Sequence, residues 1–169
     1  MKKSTKKELI IYGSIILAII LLRTFIITPV RVNGTSMNET LEDGEIMILN
    51  KIDYTFNEIN RYDIVVVKTE DSKIIKRVIG LPGETLKYEN NTLYINGKET
   101  EEPYLTEETE DFNITELGYD KIPQDCYFVM GDNRNNSSDS RIIGCVKKEN
   151  IEGSASLVIY PFKEAGIKK

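Results

Sequence analysis

The sequence has no histidine, no tryptophan and only two cysteines, Cys126 and Cys145, among 169 residues. Without an imidazole base, Ser-His-Asp and Cys-His catalysis are excluded. His-ligated zinc is excluded as well, and two thiols cannot complete a tetrahedral zinc site by themselves. Proton transfer near neutral pH is left to carboxylates, lysine, tyrosine or cysteine. The missing tryptophan removes one common membrane-interface residue and leaves Tyr160 and Phe162 as candidate substitutes. Both cysteines fall in strand-like segments and are expected as buried free thiols, although an exterior location would also permit a disulfide. Gly-rich phosphate loops are absent. The stretch GDNRNNSSDS lacks the Asp-x-Asp-x-Asp-Gly spacing and terminal glutamate of a calcium loop.

What is present begins with an apolar run. Lys2, Lys3, Lys6 and Lys7 precede 22 residues, Leu9–Val30, interrupted by Arg23. About 20 apolar residues span a bilayer core as a helix. The lysines place the N-terminus in the cytoplasm by the positive-inside rule, and everything after Val30 outside. A cleaved signal peptide would need a small-residue cleavage site after its apolar core; the residues that follow are RTFIITPVRV. Arg23 can snorkel to the outer interface. The expected organisation is a cytoplasmic segment 1–8, a transmembrane helix 9–29, a β core formed by 30–90 and 123–169, and a small cap insertion 91–122. Beyond residue 30 the chain carries 17 bases and 26 acids, a net charge of -9. That charge argues against nucleic acid as a partner.

The exterior part reads as mainly β. Short β-branched runs occur at 45–50, 63–68, 73–80, 92–95, 126–130, 142–146 and 155–160, punctuated by Leu81-Pro82-Gly83 and Asn96-Gly97. The sequence TLYI-NG-KET predicts a hairpin. The strands do not alternate with helices, so an antiparallel coiled sheet or partial barrel is expected. Residues 99–120 are acidic and poor in aliphatics, and read as a solvated excursion or small cap.

Three segments could carry chemistry. Strand alternation in Lys73–Gly80 puts Ile74, Lys76 and Val78 on one face, and Ile75, Arg77 and Ile79 on the other. Arginine is not deprotonated in proteins. A lysine buried among apolar groups can lose its proton near neutral pH. The same pattern fits a strand with two snorkelling cations, and alternation does not choose between the readings. Asn33-Gly34-Thr35-Ser36-Met37 reads as a polar turn presenting a serine. Gly131–Arg141 is an unbroken polar run between two hydrophobic segments. It suits either a solvated loop or a site that orients other polar groups.

Together, SMNETL after the anchor, YDIVVVK, KRVIGLPGE and GDNRNNSSDSR resemble the bacterial type I signal peptidases. These are membrane-anchored Ser/Lys proteases that remove signal peptides. The resemblance implies a coiled β-sheet core with a cap of variable size. It also implies Ser36 as nucleophile and Lys76 as general base, with no cofactor and no metal. Ser137 matches a serine that orients the lysine ammonium, and Asp139 an acid pairing with Arg77 and Arg141. The Ser36 backbone N–H matches an oxyanion donor. Some members add a hydroxyl two residues earlier, where this chain has Gly34. Val32 and Ile75 match positions flanking the pockets for small substrate residues. The implied partners are secretory preproteins and the lipid bilayer. The implied location is the bacterial cell membrane, single-pass, with the catalytic domain outside. A self-cleaving repressor domain of the same clan would instead carry a DNA-binding domain and its own cleavage segment. A binding module with a dead dyad would not need Ser36, Lys76, Ser137 and Asp139 together.

Overall fold

The structure, a computed structural model, describes residues 3–168. Met1, Lys2 and Lys169 lie outside it, so one lysine of the N-terminal basic cluster is not described. Helix α1, Lys3–Phe25, is exposed throughout its apolar part, and Lys6–Phe25 is long and apolar enough to cross a membrane. The apolar run does not continue as helix to residue 29. Pro29 cannot donate to a helix ladder, and Ile27–Arg31 forms strand β1 against β2, Ile46–Asn50. The core therefore begins at Ile27 and not at residue 30.

The chain then alternates short strands and turns. Helix α2 is Asp53–Phe56, β3 is Ile64–Lys68 and β4 is Lys73–Gly80. A second group follows: β5 Leu86–Glu89, β6 Thr92–Ile95, β7 Lys98–Thr100 and β8 Phe112–Asn113. The last group is β9 Cys126–Met130, α3 Ser140–Ile143, β10 Val146–Lys147, β11 Ile151–Tyr160 and β12 Gly166–Ile167. The main sheet has the order β1-β2-β11-β3-β4-β9-β10, with β12 beside β11, and every pairing is antiparallel. It curls into a half-barrel. The smaller sheet, β7-β6-β5-β8, occupies the segment read as a cap insertion. It starts at Leu86, earlier than the residue 91 expected, because β5 pairs with β6 and not with the main sheet. The Asn96-Gly97 hairpin joins β6 to β7 as predicted.

The segment 142–146, read as a strand, is different. Asp139 caps a helical turn there, its carboxylate accepting the Arg141 N–H at 3.2 Å. Such a cap satisfies an otherwise orphaned helix donor. The turn ends at Gly144, and only Val146–Lys147 pairs with β9. Cys126 is buried and Cys145 half-buried, and both are free thiols. Burial, assisted by nearby Cys126, pushes the Cys145 thiol up to about 12, which leaves it unreactive at neutral pH.

β4 is the hinge of the core, because three apolar clusters meet on it. Ile79 packs with Leu86, Phe112, Phe128 and Met130 on the cap side. Val78, flanked by Ile74, packs with Val65, Val67 and Val129. Ile75 flanks the cluster of Val32, Met37, Leu41 and Val66. A strand buried on both faces holds its side chains in fixed directions, and this one carries Lys76 and Arg77.

At the end of β9 the chain passes close to the serine loop. A Cβ at Gly131 would collide with the Ser36 carbonyl oxygen and with the Ser137 hydroxyl. We expect Gly131→Ala to destabilise the protein by about 1–3 kcal/mol, the usual cost of overpacking. Urea unfolding of the full chain in detergent would check this; a midpoint equal to the wild type would contradict the close approach.

Candidate active site

Ser36 sits in the turn that follows β1. Val32 anchors the entry, exchanging backbone hydrogen bonds with Glu45 and Gly44 at 2.8 and 2.9 Å. Met37 and Leu41, both fully buried, anchor the exit. The Asp43 carboxylate accepts the Gly34 N–H at 2.7 Å, where the chain turns through φ +87. With no side chain and its N–H already bonded, Gly34 supplies no second oxyanion donor. The Ser36 N–H remains the candidate for that role.

The polar run after β9 closes over this turn. The Asn133 N–H donates to the Ser36 carbonyl at 3.1 Å, and its side-chain amide donates to the Thr35 carbonyl at 3.1 Å. The Asn136 amide donates to the Thr35 hydroxyl at 2.8 Å. The run is therefore an orienting loop and not a solvated one: Asp132, Arg134 and Asp139 are each at most 2% exposed. Its asparagines were not singled out from sequence. Their only signal was density of hydrogen-bonding groups.

Lys76 lies opposite Val65 in the β3–β4 register, on the face shared with Ile74 and Val78. It is 2% exposed, and its Nζ lies 2.5 Å from Ser36 Oγ. Burial lowers the Lys76 amine to about 8, against the opposing charges of Asp139 and Asp132 and with help from Arg141. An amine near that value is a usable base at mildly alkaline pH, and the hydroxyl it touches is a proton source within reach. The pair can therefore generate a nucleophilic oxygen without histidine.

The surrounding ion pairs differ from expectation in one respect. Asp139 is held by Arg141, at 2.9 Å from both Nε and Nη2. Burial would raise the Asp139 carboxyl, but Arg141 and the Gly131 N–H outweigh it and hold it below the usual range. Arg77 does not join this pair. Alternation puts it on the other face of β4, where Asp132 takes its guanidinium in a fork at 2.9 and 2.7 Å. Asp132 was missed from sequence, although a buried arginine beside a buried lysine demands its own counter-charge. Ser137 Oγ is buried against Gly131 without a hydrogen-bond partner, so the structure does not place it on the Lys76 ammonium.

Val32 and Ile75 line a cavity of about 60 Å³ with Ser36, Met37 and Lys76. A space that small admits only a short side chain. A wider groove of about 940 Å³ runs past Ile74, Ile143 and Glu149, and holds neither Ser36 nor Lys76.

Comparison with known proteins gives the family. A family model described as signal peptidase, peptidase S26, matches residues 6–160. Signal peptidase I T of Bacillus subtilis (strain 168) is 42% identical over 175 aligned residues, covering 96% of this chain and 91% of that protein. A signal peptidase I of Bacillus caldolyticus is 43% identical over 156 residues, covering 85% of each. Among solved structures, a signal peptidase I from Enterococcus faecalis is similar with a TM-score of 0.55 at 38% identity, covering 58% of this chain and 97% of that one. Matched along nearly its whole length by family and relatives alike, the chain belongs to the signal peptidases of the peptidase S26 family.

Proposed function

We propose that the chain is a membrane-bound endopeptidase that removes signal peptides from exported preproteins, with Ser36 as nucleophile and Lys76 as general base. The observation that carries this reading is the 2.5 Å approach of a buried lysine amine to the Ser36 hydroxyl. Ser36 Oγ bonds to the scissile carbonyl carbon and its proton passes to Lys76 Nζ. The Ser36 N–H faces the developing oxyanion. Lys76 then gives that proton to the leaving amine as the C–N bond breaks. In the second half, Lys76 takes a proton from water. The hydroxide displaces the serine ester, and the proton returns to Ser36.

Substrate choice follows from the small cavity. Val32 and Ile75 wall a space suited to residues no larger than alanine or serine, which supports cleavage after a small-x-small sequence. An extended substrate could add as a strand beside the end of β1 and the first half of β4, which line the cavity with Ser36. Helix α1 fits a membrane anchor that would hold the enzyme where preproteins emerge and raise their effective concentration. The orientation proposed is N-terminus inside and half-barrel outside, from the flanking lysines. Tyr160 and Phe162, at 52% and 85% exposure, are available to meet the lipid surface.

Incubating the detergent-solubilised protein with a preprotein, then sequencing the new N-terminus, tests the activity directly. Ser36→Ala is expected to abolish cleavage. Lys76→Ala is expected to reduce kcat by about 10²–10⁴-fold, the range for losing a general base. Cleavage at the wild-type rate by the Lys76 variant would sink the mechanism.

The pH dependence has a definite sign. The neutral amine is the active form, so kcat/KM should rise through an apparent pKa of about 8 and fall away below it. A profile governed by a carboxylate, with its limb at about 4, would assign the base elsewhere.

A further inference from the structure

The acidic stretch after β7 sends one carboxylate inward. Glu102, with a side chain 7% exposed, accepts from Tyr88 OH at 2.9 Å and Tyr104 OH at 2.8 Å. It also accepts from Arg134 Nη2 at 2.6 Å and more weakly from Nη1 at 3.4 Å. Burial, the leading cause, keeps both phenols protonated as donors. Tyr62, whose ring packs edge-on to Tyr104 at 5.4 Å, donates its hydroxyl to the neighbouring Glu101 carbonyl at 2.7 Å.

Arg134 is the link to the active-site loop. Its side chain is fully buried. Nη1 also bonds Tyr88 OH at 2.9 Å and Thr109 Oγ1 at 2.8 Å, and Nε donates to the Gly131 carbonyl at 3.1 Å. Its own carbonyl accepts from Arg141 Nη2 at 2.7 Å, the arginine that grips Asp139. A second route leaves from the same segment. The Tyr104 ring lies 3.9 Å from Arg77 Cζ, and Arg77 forks onto Asp132. The two carboxylates that act on Lys76 are thus each gripped by an arginine; Arg77 lies against Tyr104, Arg141 bonds the Arg134 carbonyl, and Tyr104 and Arg134 share Glu102.

We propose that Glu102 of the cap is a positioning residue that, through Arg134 and Tyr104, holds Asp132 and Asp139 in their arginine pairs beside Ser36 and Lys76. The inference rests on the peptidase reading and deepens it. Glutamine at this position would keep the shape but leave Arg134 buried without a counter-charge. A buried unpaired cation is strongly unfavourable, so the loop should shift to hydrate it. Arg141 would then lose its brace on the Arg134 carbonyl, and Asp139 would be less well neutralised. The groups facing Lys76 are Asp139 and Asp132, which favour its charged form, and Arg141, which opposes it. A weaker Arg141–Asp139 pair therefore makes Lys76 keep its proton to higher pH.

The test uses the full chain in detergent with Glu102→Gln and Tyr104→Phe, which removes one donor to Glu102 and keeps the ring on Arg77. Two readouts are taken against pH: kcat/KM for a preprotein, and the Cε chemical shift of Lys76, assigned by its loss in Lys76→Ala. In folded Glu102→Gln, both midpoints should rise by about one unit, with about a ten-fold loss of kcat/KM on the acid side. KM should hold within about two-fold, the pattern of a lost transition-state contribution. Tyr104→Phe should shift both midpoints the same way by less. Unmoved midpoints in folded Glu102→Gln, or a uniform loss of activity without a shift, would overturn the proposal. If Glu102→Gln does not fold, unmoved midpoints in Tyr104→Phe overturn it instead. A wild type that cuts no preprotein would sink the peptidase reading alone, since the Lys76 titration still decides the role of Glu102.

Discussion

A lysine amine kept out of water beside two carboxylates is the constraint from which the rest of the site follows. Burial disfavours the ammonium, while each nearby carboxylate favours it. Asp132 and Asp139 are both needed by the loop that positions Ser36, yet left bare they would restore the proton that burial removes. Each is therefore matched with an arginine, Arg77 and Arg141, before it can act on Lys76 with full charge. The result is an amine near 8 and not at its solution value. The sheet contributes by holding Val65, Ile74 and Val78 around the lysine stem, and the curl of the half-barrel lets one strand show its two faces to different clusters.

The serine is governed by a different kind of restraint. Its turn has only local backbone hydrogen bonds from Thr35 to Leu41, so its position also depends on hydrogen bonds made by other segments. Asn133 and Asn136 supply them from the polar loop, and Asp43 supplies one from the far side. The two halves of the pair are thus fixed by unlike means: Lys76 by strand register and packing, Ser36 by backbone carbonyls tied across nearly a hundred residues of sequence. Gly131 lies where they meet, because no side chain fits between the serine carbonyl and Ser137.

Local pattern accounts for what was legible beforehand. The β-branched runs of β2, β3, β4 and β9 and the Asn96-Gly97 turn appear where alternation and turn chemistry put them. The Lys76 face was legible too, since alternation is a property of the strand alone. Two boundaries were not. One apolar run held both the end of α1 and the start of β1, and hydrophobicity does not distinguish them. At 142–146 the β-branched isoleucines outweighed the Asp139 cap and Gly144 stop that frame a helical turn. Partner choice among charges was beyond local reading. Arg77 and Asp132 are 55 residues apart, and only the fold shows that Arg77 faces away from Asp139.

The acidic insert shows the same limit from the other direction. Averaged over 99–120, its composition describes a solvated surface, and most of its carboxylates do face water. Glu102 differs because the tyrosines of β5 and of its own segment, together with Arg134, offer four donors in one apolar recess. A carboxylate enters such a place only when its hydrogen bonds and a counter-charge are already there. The donor set therefore requires that the cap and the loop 131–141 form together. A cap reduced to a four-stranded sheet can be small and still necessary if, as proposed, its contribution to the site passes through Glu102 to Arg134 and to Tyr104 against Arg77, and not through its area.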